Sequence, residues 1–212
     1  MPEPDAPSDI DLLRAWGAGD DDAGNTLVRR HFDSVFRFFS GRLAAEGDVT
    51  DLAQKTFLAC LESKSAWDGI ERFRPFLLGV ARNQLLMYLR YHRVRQGEQP
   101  GGSLQERIAD SAVQGLSTVA ASRERQRQLL LALRRLPSDL QMTLELHYWE
   151  GFTTKEIGEV LGLSPGTIKA RLFKARARLK ESIADVAGAP ELADLSMRQL
   201  GDWAKSIKAR VP

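Results

Sequence analysis

The stretch TTKEIGEVLGLSPGTIKARLFKAR, residues 153–176, predicts two helices joined by a tight turn. It opens on a Thr-x-x-Glu pattern, the capping box that begins many helices. Gly162 stands where the first helix should end, because glycine adopts the left-handed cap conformation without strain. Ser164 is suited to cap the second helix, and Pro165 is tolerated at its first position. A short helix, a glycine turn and a longer basic helix are typical of a helix-turn-helix.

The second of these helices has two predicted faces. Its apolar stripe should be buried and consists of Ile168, Leu172, Ala175 and Leu179. The face expected to enter the major groove of DNA consists of Thr167, Lys169, Ala170, Arg171, Phe173 and Lys174. Cations there can donate to guanine O6 and N7, and an aromatic ring or a methyl group can contact thymine methyls. Arg176 and Arg178 lie further along and are better placed for phosphates. An amphipathic three-helix bundle with a basic surface is the alternative for this segment.

Two acid-free basic segments are hidden in a chain whose formal net charge is only +2. Residues 72–97 contain six arginines and no acidic residue, and residues 164–180 contain six cations and no acidic residue. An excess of acidic residues in 1–71 offsets more than half of this charge. Two separate basic helices indicate sites for polyanions. A solvated helix face is the alternative, but such faces usually mix charges of both signs.

Apolar residues recur at helical spacing, and no stretch alternates with the period of a strand. We therefore predict an all-α protein with two small helical domains, residues 10–97 and 123–183. Residues 98–122 are mostly small and polar, which predicts a flexible linker. Spaced leucines in residues 184–212 predict a C-terminal helical extension.

Several functional classes are disfavoured. The single cysteine, Cys60, lies on an apolar helical face and is expected to be inert, and the three histidines lack metal-ligand spacing. We therefore expect no metal and no cofactor. The carboxylate cluster at residues 20–22 has no accompanying nucleophile-base pair, so we expect no enzyme. Without a long apolar stretch or a basic, apolar leader, we expect a cytoplasmic protein that does not insert into membranes.

The basic helix of the first domain interleaves arginines with aromatic residues. Tyr88 and Tyr91 lie within it, Trp67 precedes it, and Asn83 adds an amide that can read a base edge. Aromatic rings beside arginine are what single-stranded bases stack on. For Trp67, a core position and a stacking position are both open.

These motifs resemble the extracytoplasmic-function (ECF) group of bacterial RNA polymerase sigma factors. The stretch 153–176, preceded by Leu136-Pro137, resembles region 4 of that family. DVTDLAQKTF, residues 48–57, and FLLGVARN, residues 76–83, resemble region 2. The two matches follow one another in the family's order and cover most of the chain.

The resemblance implies a sigma factor that binds core RNA polymerase and directs promoter-specific initiation. Region 4 would read a −35 element as duplex and dock on the polymerase β flap. Region 2 would bind the β′ clamp helices through Asp51 and Gln54 and would melt the −10 element. The implied single-strand contacts of the −10 element are Trp67, Arg82, Asn83, Arg90 and Arg93. Promoter DNA and core polymerase are thus the expected partners, and an anti-sigma factor is a further candidate.

Two residues depart from the family pattern. Lys55 stands where the family usually has glutamate, and Ala170 replaces a frequent serine. The first bears on polymerase affinity and the second on the promoter sequence. A stand-alone helix-turn-helix regulator is the alternative function, but it leaves the basic helix in 72–97 without a purpose. Such a regulator would bind duplex DNA tightly in the absence of polymerase.

Overall fold

The computed structural model describes residues 7–43, 45–63, 67, 69–95, 128–187 and 200–201. These residues form helices and contain no β-strand, which confirms the predicted all-α class. The chain divides into two compact units, Met1–Glu98 and Gln99–Pro212. The predicted linker, 98–122, and most of the predicted extension, 184–212, lie outside the described residues.

The first unit is a bundle of four helices, α1 (Asp9–Gly17), α2 (Asp21–Ser40), α3 (Glu46–Glu62) and α4 (Phe73–Arg95). The central helix α2 packs against the other three, and α3 packs along α4. Each contributes fully buried apolar side chains, among them Leu13, Leu27, Phe39, Ala53 and Leu77. Pro75 falls in the first turn of α4, where its missing N–H costs no helical hydrogen bond.

Polar contacts at two places join helices of the first unit to one another. Asp9 on α1 lies 2.8 Å from Nε2 of the buried His31 on α2, and its other carboxylate oxygen accepts from Arg30 at 3.2 Å. The hydrogen bond with His31 lowers the pKa of Asp9. Between α3 and α4, the hydroxyl of Tyr88 donates to Asp48 at 2.6 Å. Partial burial and this hydrogen bond raise the pKa of Tyr88 to about 12.

The second unit contains α5 (residues 128–134), α6 (Ser138–Tyr148), α7 (Thr154–Leu161) and α8 (Pro165–Ala187). Helices α6 and α7 both pack against α8, and Ser182 Oγ on α8 donates to the Ala132 carbonyl of α5 at 3.1 Å. The predicted apolar stripe of α8 is buried along its whole length, at Ile168, Leu172, Ala175 and Leu179.

The turn between α7 and α8 has the predicted capping chemistry. Thr153 and Glu156 form both hydrogen bonds of the capping box, and Gly162 has a φ of +68°. Ser164 Oγ accepts from the Thr167 amide at 3.2 Å, and Pro165 is the first residue of α8. The turn closes tightly, because a Cβ added to Gly158 would lie 2.5 Å from the Leu163 carbonyl oxygen.

Replacing Gly158 by alanine should destabilise the helix-turn-helix by about 1–3 kcal/mol, because backbone must move to admit the methyl group. Hydrogen exchange at the α7 and α8 amides measures the effect. The control is Gly166→Ala, whose added Cβ meets Ser164 Oγ only at 3.8 Å. That variant should lie within about 1 kcal/mol of wild type, on the stabilising side. Equal losses in the two variants would contradict the steric explanation.

The Asp9–His31 contact should make the first unit acid-sensitive. A carboxylate with a lowered folded pKa stabilises the fold above its unfolded pKa of about 4, and this stabilisation disappears as the pH falls through the folded value. Asp9→Asn should therefore cost roughly 0.5–1 kcal/mol at pH 6 and progressively less towards pH 2. Urea unfolding of both proteins across this pH range tests it, and a gap independent of pH would refute it.

Candidate nucleic-acid interface

The outer face of α8 begins at its first turn and carries most of the predicted −35 residues. Lys169, Ala170 and Lys174 are exposed, and the ring of Phe173 is 78% exposed. Thr167 is also exposed, but its hydroxyl is hydrogen-bonded with Ser164 Oγ at 2.9 Å as part of the helix cap. Helix α8 therefore presents cations, a methyl group and an aromatic ring on one surface.

Two other predicted DNA contacts of α8 are engaged by side chains of α6. The guanidinium of Arg171 lies 3.8 Å from the carboxylate of Asp139. Arg176 Nε donates to the Tyr148 hydroxyl at 2.9 Å, and its guanidinium also lies over the Tyr148 ring. Arg178 is exposed and pairs with Glu181 at 3.3 Å, within α8 itself. The cations of α8 thus fall into a solvent-facing group and a group held by α6.

One face of α3 is exposed along about three turns. Its residues are Asp51, Gln54, Lys55, Leu58 and Glu62, at the spacing of a single helical face. Lys55 Nζ lies 2.6 Å from Asp51 Oδ2, so the lysine that departs from the family pattern pairs with a predicted polymerase contact. Leu58 is 54% exposed at the centre of this surface. We call these five residues the α3 face.

Helix α4 exposes a second surface, composed of Asn83, Met87, Arg90 and Tyr91. The spacing of i, i+4, i+7 and i+8 places all four on one side of the helix. Met87 and Tyr91 are 62% and 59% exposed, which is unusual for side chains of this size. We call these residues the α4 face. Arg82 is half-buried beside it, and the side chain of Arg93 lies outside the described residues.

Trp67 requires a correction. Its ring is buried to 8% exposure and lies against Gly17, and its indole N–H donates to the Cys60 carbonyl at 3.1 Å. Of the two positions left open for Trp67, the structure has the core one, and the buried ring is not exposed for stacking on a base. Cys60 itself is buried, as predicted, and burial raises the pKa of its thiol to about 12.

Among the residues of these surfaces that the sequence prediction missed are Leu58, Met87, Asp139 and Tyr148. Leu58 and Met87 could have been found, because each continues the helical spacing of a predicted residue, Gln54 and Asn83. Asp139 and Tyr148 contact α8 only through tertiary packing, for which the sequence carries no local signal. Within the described ranges, no group of three His, Cys, Asp or Glu side chains could hold a metal ion, and no helix is long and apolar enough to cross a membrane.

Comparison with known families and proteins agrees with this arrangement of two helical units. Residues 27–95 match the family "Sigma-70 region 2" and residues 126–179 match "Sigma-70, region 4", together more than half of the chain. The chain belongs to the sigma-70 family, in its ECF group. The function of this sigma factor is to direct RNA polymerase to promoters, and the family is not enzymatic.

Individual relatives extend the match to most of the chain. The ECF RNA polymerase sigma-E factors of Salmonella typhimurium and Escherichia coli are each 28% identical over 181 residues, covering 81% of this chain and 92% of theirs. The sigma-E factor of Haemophilus influenzae is 26% identical and covers 83% of this chain and 95% of its own. The solved structure of CnrH in complex with the cytosolic domain of CnrY shares the fold, with a TM-score of 0.56 and 23% identity over 82% of this chain and 95% of that one.

Trp67→Phe should lower the stability of this sigma factor by about 1–3 kcal/mol, because a buried hydrogen bond and part of a packed ring are lost. Asn83→Ala, on the exposed α4 face, should change stability by less than about 0.5 kcal/mol. Denaturant unfolding measures both. Transcription with core polymerase, normalised to folded protein, should then fall for Asn83→Ala and remain for Trp67→Phe. The reverse pattern would return Trp67 to the DNA-binding set.

Proposed function

We propose that α8 of this sigma factor reads the −35 element as duplex DNA in the major groove. The observation that carries the proposal is the exposed surface at the beginning of α8, where Lys169, Phe173 and Lys174 project from the second helix of a helix-turn-helix. Lysines at this end can reach guanine acceptors or flanking phosphates. Phe173 is suited to contact thymine methyl groups. Arg178 lies further along the helix, where a phosphate contact is expected.

The α4 face is the proposed site for the opened −10 element. It combines an amide, a thioether, a guanidinium and a phenol ring on one side of an otherwise arginine-rich helix. Unpaired bases stack on Tyr91 and Met87, because both offer broad polarisable surfaces, and Arg90 neutralises the strand backbone. Asn83 has the donor and acceptor pair needed to read a base edge. Arg82 and Arg93 are proposed to contact phosphates of the same strand.

The α3 face is the proposed contact with the β′ clamp helices of core polymerase. Leu58 supplies an apolar centre and Gln54, Asp51 and Lys55 a polar surround, which is the usual anatomy of a protein interface. With Asp51 and Lys55 paired, this face keeps the negative charge of Glu62. Docking of region 4 on the β flap completes the proposed contact with polymerase, and the cytoplasm, where polymerase and chromosomal DNA meet, is the proposed location.

An anti-sigma factor is the proposed regulatory partner. The structure of CnrH, which has the same fold, contains a cytosolic domain of a second protein bound to it. The α3 and α4 faces expose apolar side chains that a partner of this kind would cover in the absence of polymerase.

Run-off transcription tests the whole proposal. Bacterial core polymerase is incubated with fragments of the genome that encodes this chain, with and without the full-length protein. We expect transcripts that start downstream of a shared pair of −35 and −10 sequences only when the protein is present. No initiation, together with protection of duplex DNA by the protein alone, would instead establish the stand-alone regulator.

Phe173→Ala should reduce discrimination at one A·T pair of the −35 element by about 1 kcal/mol, because the contact with a thymine methyl group is lost. The ring is exposed, so the free energy of unfolding should hardly change. Competition between promoters with single substitutions at −35 measures the preference. Uniform weakening on every promoter would instead mean that Phe173 contacts DNA without reading its sequence.

Leu58→Ala should weaken binding of core polymerase by about 1 kcal/mol, roughly fivefold, because apolar area leaves the interface. Fluorescence anisotropy of labelled protein titrated with core polymerase measures the affinity. Met87→Ala is the matched control, since it truncates an equally exposed side chain on the α4 face. It should retain the polymerase affinity and reduce promoter opening; a loss of polymerase affinity in both variants would contradict the separate roles of the two faces.

A further inference from the structure

Arg171 differs from the other predicted base-reading cations of α8 in how its side chain is held. Lys169 and Lys174 are exposed, whereas the Arg171 side chain is 30% exposed and lies beside an equally covered carboxylate, that of Asp139, at 3.8 Å. A free arginine side chain adopts many rotamers, and an ion pair with a fixed partner selects among them. The direction in which Arg171 points is therefore set by α6 as well as by its own helix.

The backbone of Asp139 is fixed at the start of α6. It lies in the first turn of α6, where a carboxylate is favoured by the helix dipole, and its carbonyl accepts from the Thr143 hydroxyl at 2.6 Å. The far end of the same helix holds Arg176 through Tyr148. Helix α6 thus holds two arginines of α8, one from each of its ends, and packs along α8 between them.

An acidic side chain beside a DNA-reading cation works against affinity. It repels phosphates and offsets part of the attraction of Arg171 for any DNA sequence. It also keeps the planar guanidinium from swinging to the nearest phosphate, so that Arg171 gains most where a base edge offers two acceptors. Discrimination by such a device comes from weakening wrong contacts as well as from making right ones.

We propose that Asp139 is a positioning residue that sets the sequence specificity of −35 recognition by holding Arg171 for one base pair. The inference rests on the proposed reading of −35 DNA by α8. It adds a residue of another helix, with the wrong charge for DNA, to the determinants of promoter choice.

The test is a double-mutant cycle in reconstituted holoenzyme. Wild type, Asp139→Asn, Arg171→Ala and the double variant are each combined with core polymerase and a template library randomised over the −35 element, and the transcripts are sequenced. Asp139→Asn should relax the preference at one base pair by about two- to fivefold, the size of the coupling in a half-exposed ion pair. In the Arg171→Ala background the same substitution should leave the preference at that base pair unchanged.

Two further variants separate positioning from charge and from folding. Glu159→Gln removes one negative charge from an exposed position on α7 and should affect all −35 sequences alike. Asp139→Glu keeps the charge and should retain most of the preference at the base pair that Asp139→Asn relaxes. Melting curves of each variant establish that the fold is intact.

The outcomes distinguish the inference from the function on which it rests. A wild-type holoenzyme that selects no −35 sequence overturns the proposed function, and this inference with it. If the wild type does select a −35 sequence, two results would overturn the inference alone. Asp139→Asn could behave like Glu159→Gln, or the effect of Asp139→Asn could persist in the Arg171→Ala background.

Discussion

The second unit depends on the close approach of α7 to the turn that follows it. The Leu163 carbonyl lies where a side chain on residue 158 would begin, and the Leu163 amide donates to the Gly158 carbonyl at 2.9 Å. Only a residue without a side chain at 158 permits this approach, and the positive φ of Gly162 then turns the chain. The direction of α8 follows from these two glycines, and with it the position of every side chain on its outer face.

The features that could be predicted from the sequence are those that depend on residues close together in the chain. Capping boxes, the left-handed glycine and the buried stripe of α8 depend on residues within a few positions of one another, so the pattern alone determines them. Trp67 could not be assigned in this way. Its burial depends on Gly17 and on the Cys60 carbonyl, 50 and seven positions away, and no spacing rule connects these residues. The exposure of Leu58 and Met87 also follows from helix packing and not from residue type.

The charges of this sigma factor are organised by tertiary contacts as well as by composition. Basic residues cluster on α4 and α8, but part of that charge is already engaged inside the protein, by Asp139 and Tyr148. On α3 an acidic residue is the one whose charge is offset, because Lys55 pairs with Asp51. A count of basic residues on a helix therefore overstates what is available to DNA. The polar contacts between helices decide which cations remain available to bind DNA.

The hydrogen bond between Tyr88 and Asp48 links α3 and α4, the two helices that carry the exposed faces of the first unit. Helices α3 and α4 pack along each other, and this bond ties the beginning of one to the second half of the other. The two helices are thereby held together, and each carries one of the proposed contacts, polymerase on α3 and the opened −10 element on α4. A protein bound to the α3 face would then orient the α4 face as well. Promoter melting would then proceed by capture of unpaired bases on a preformed surface, without a conformational change within the first unit.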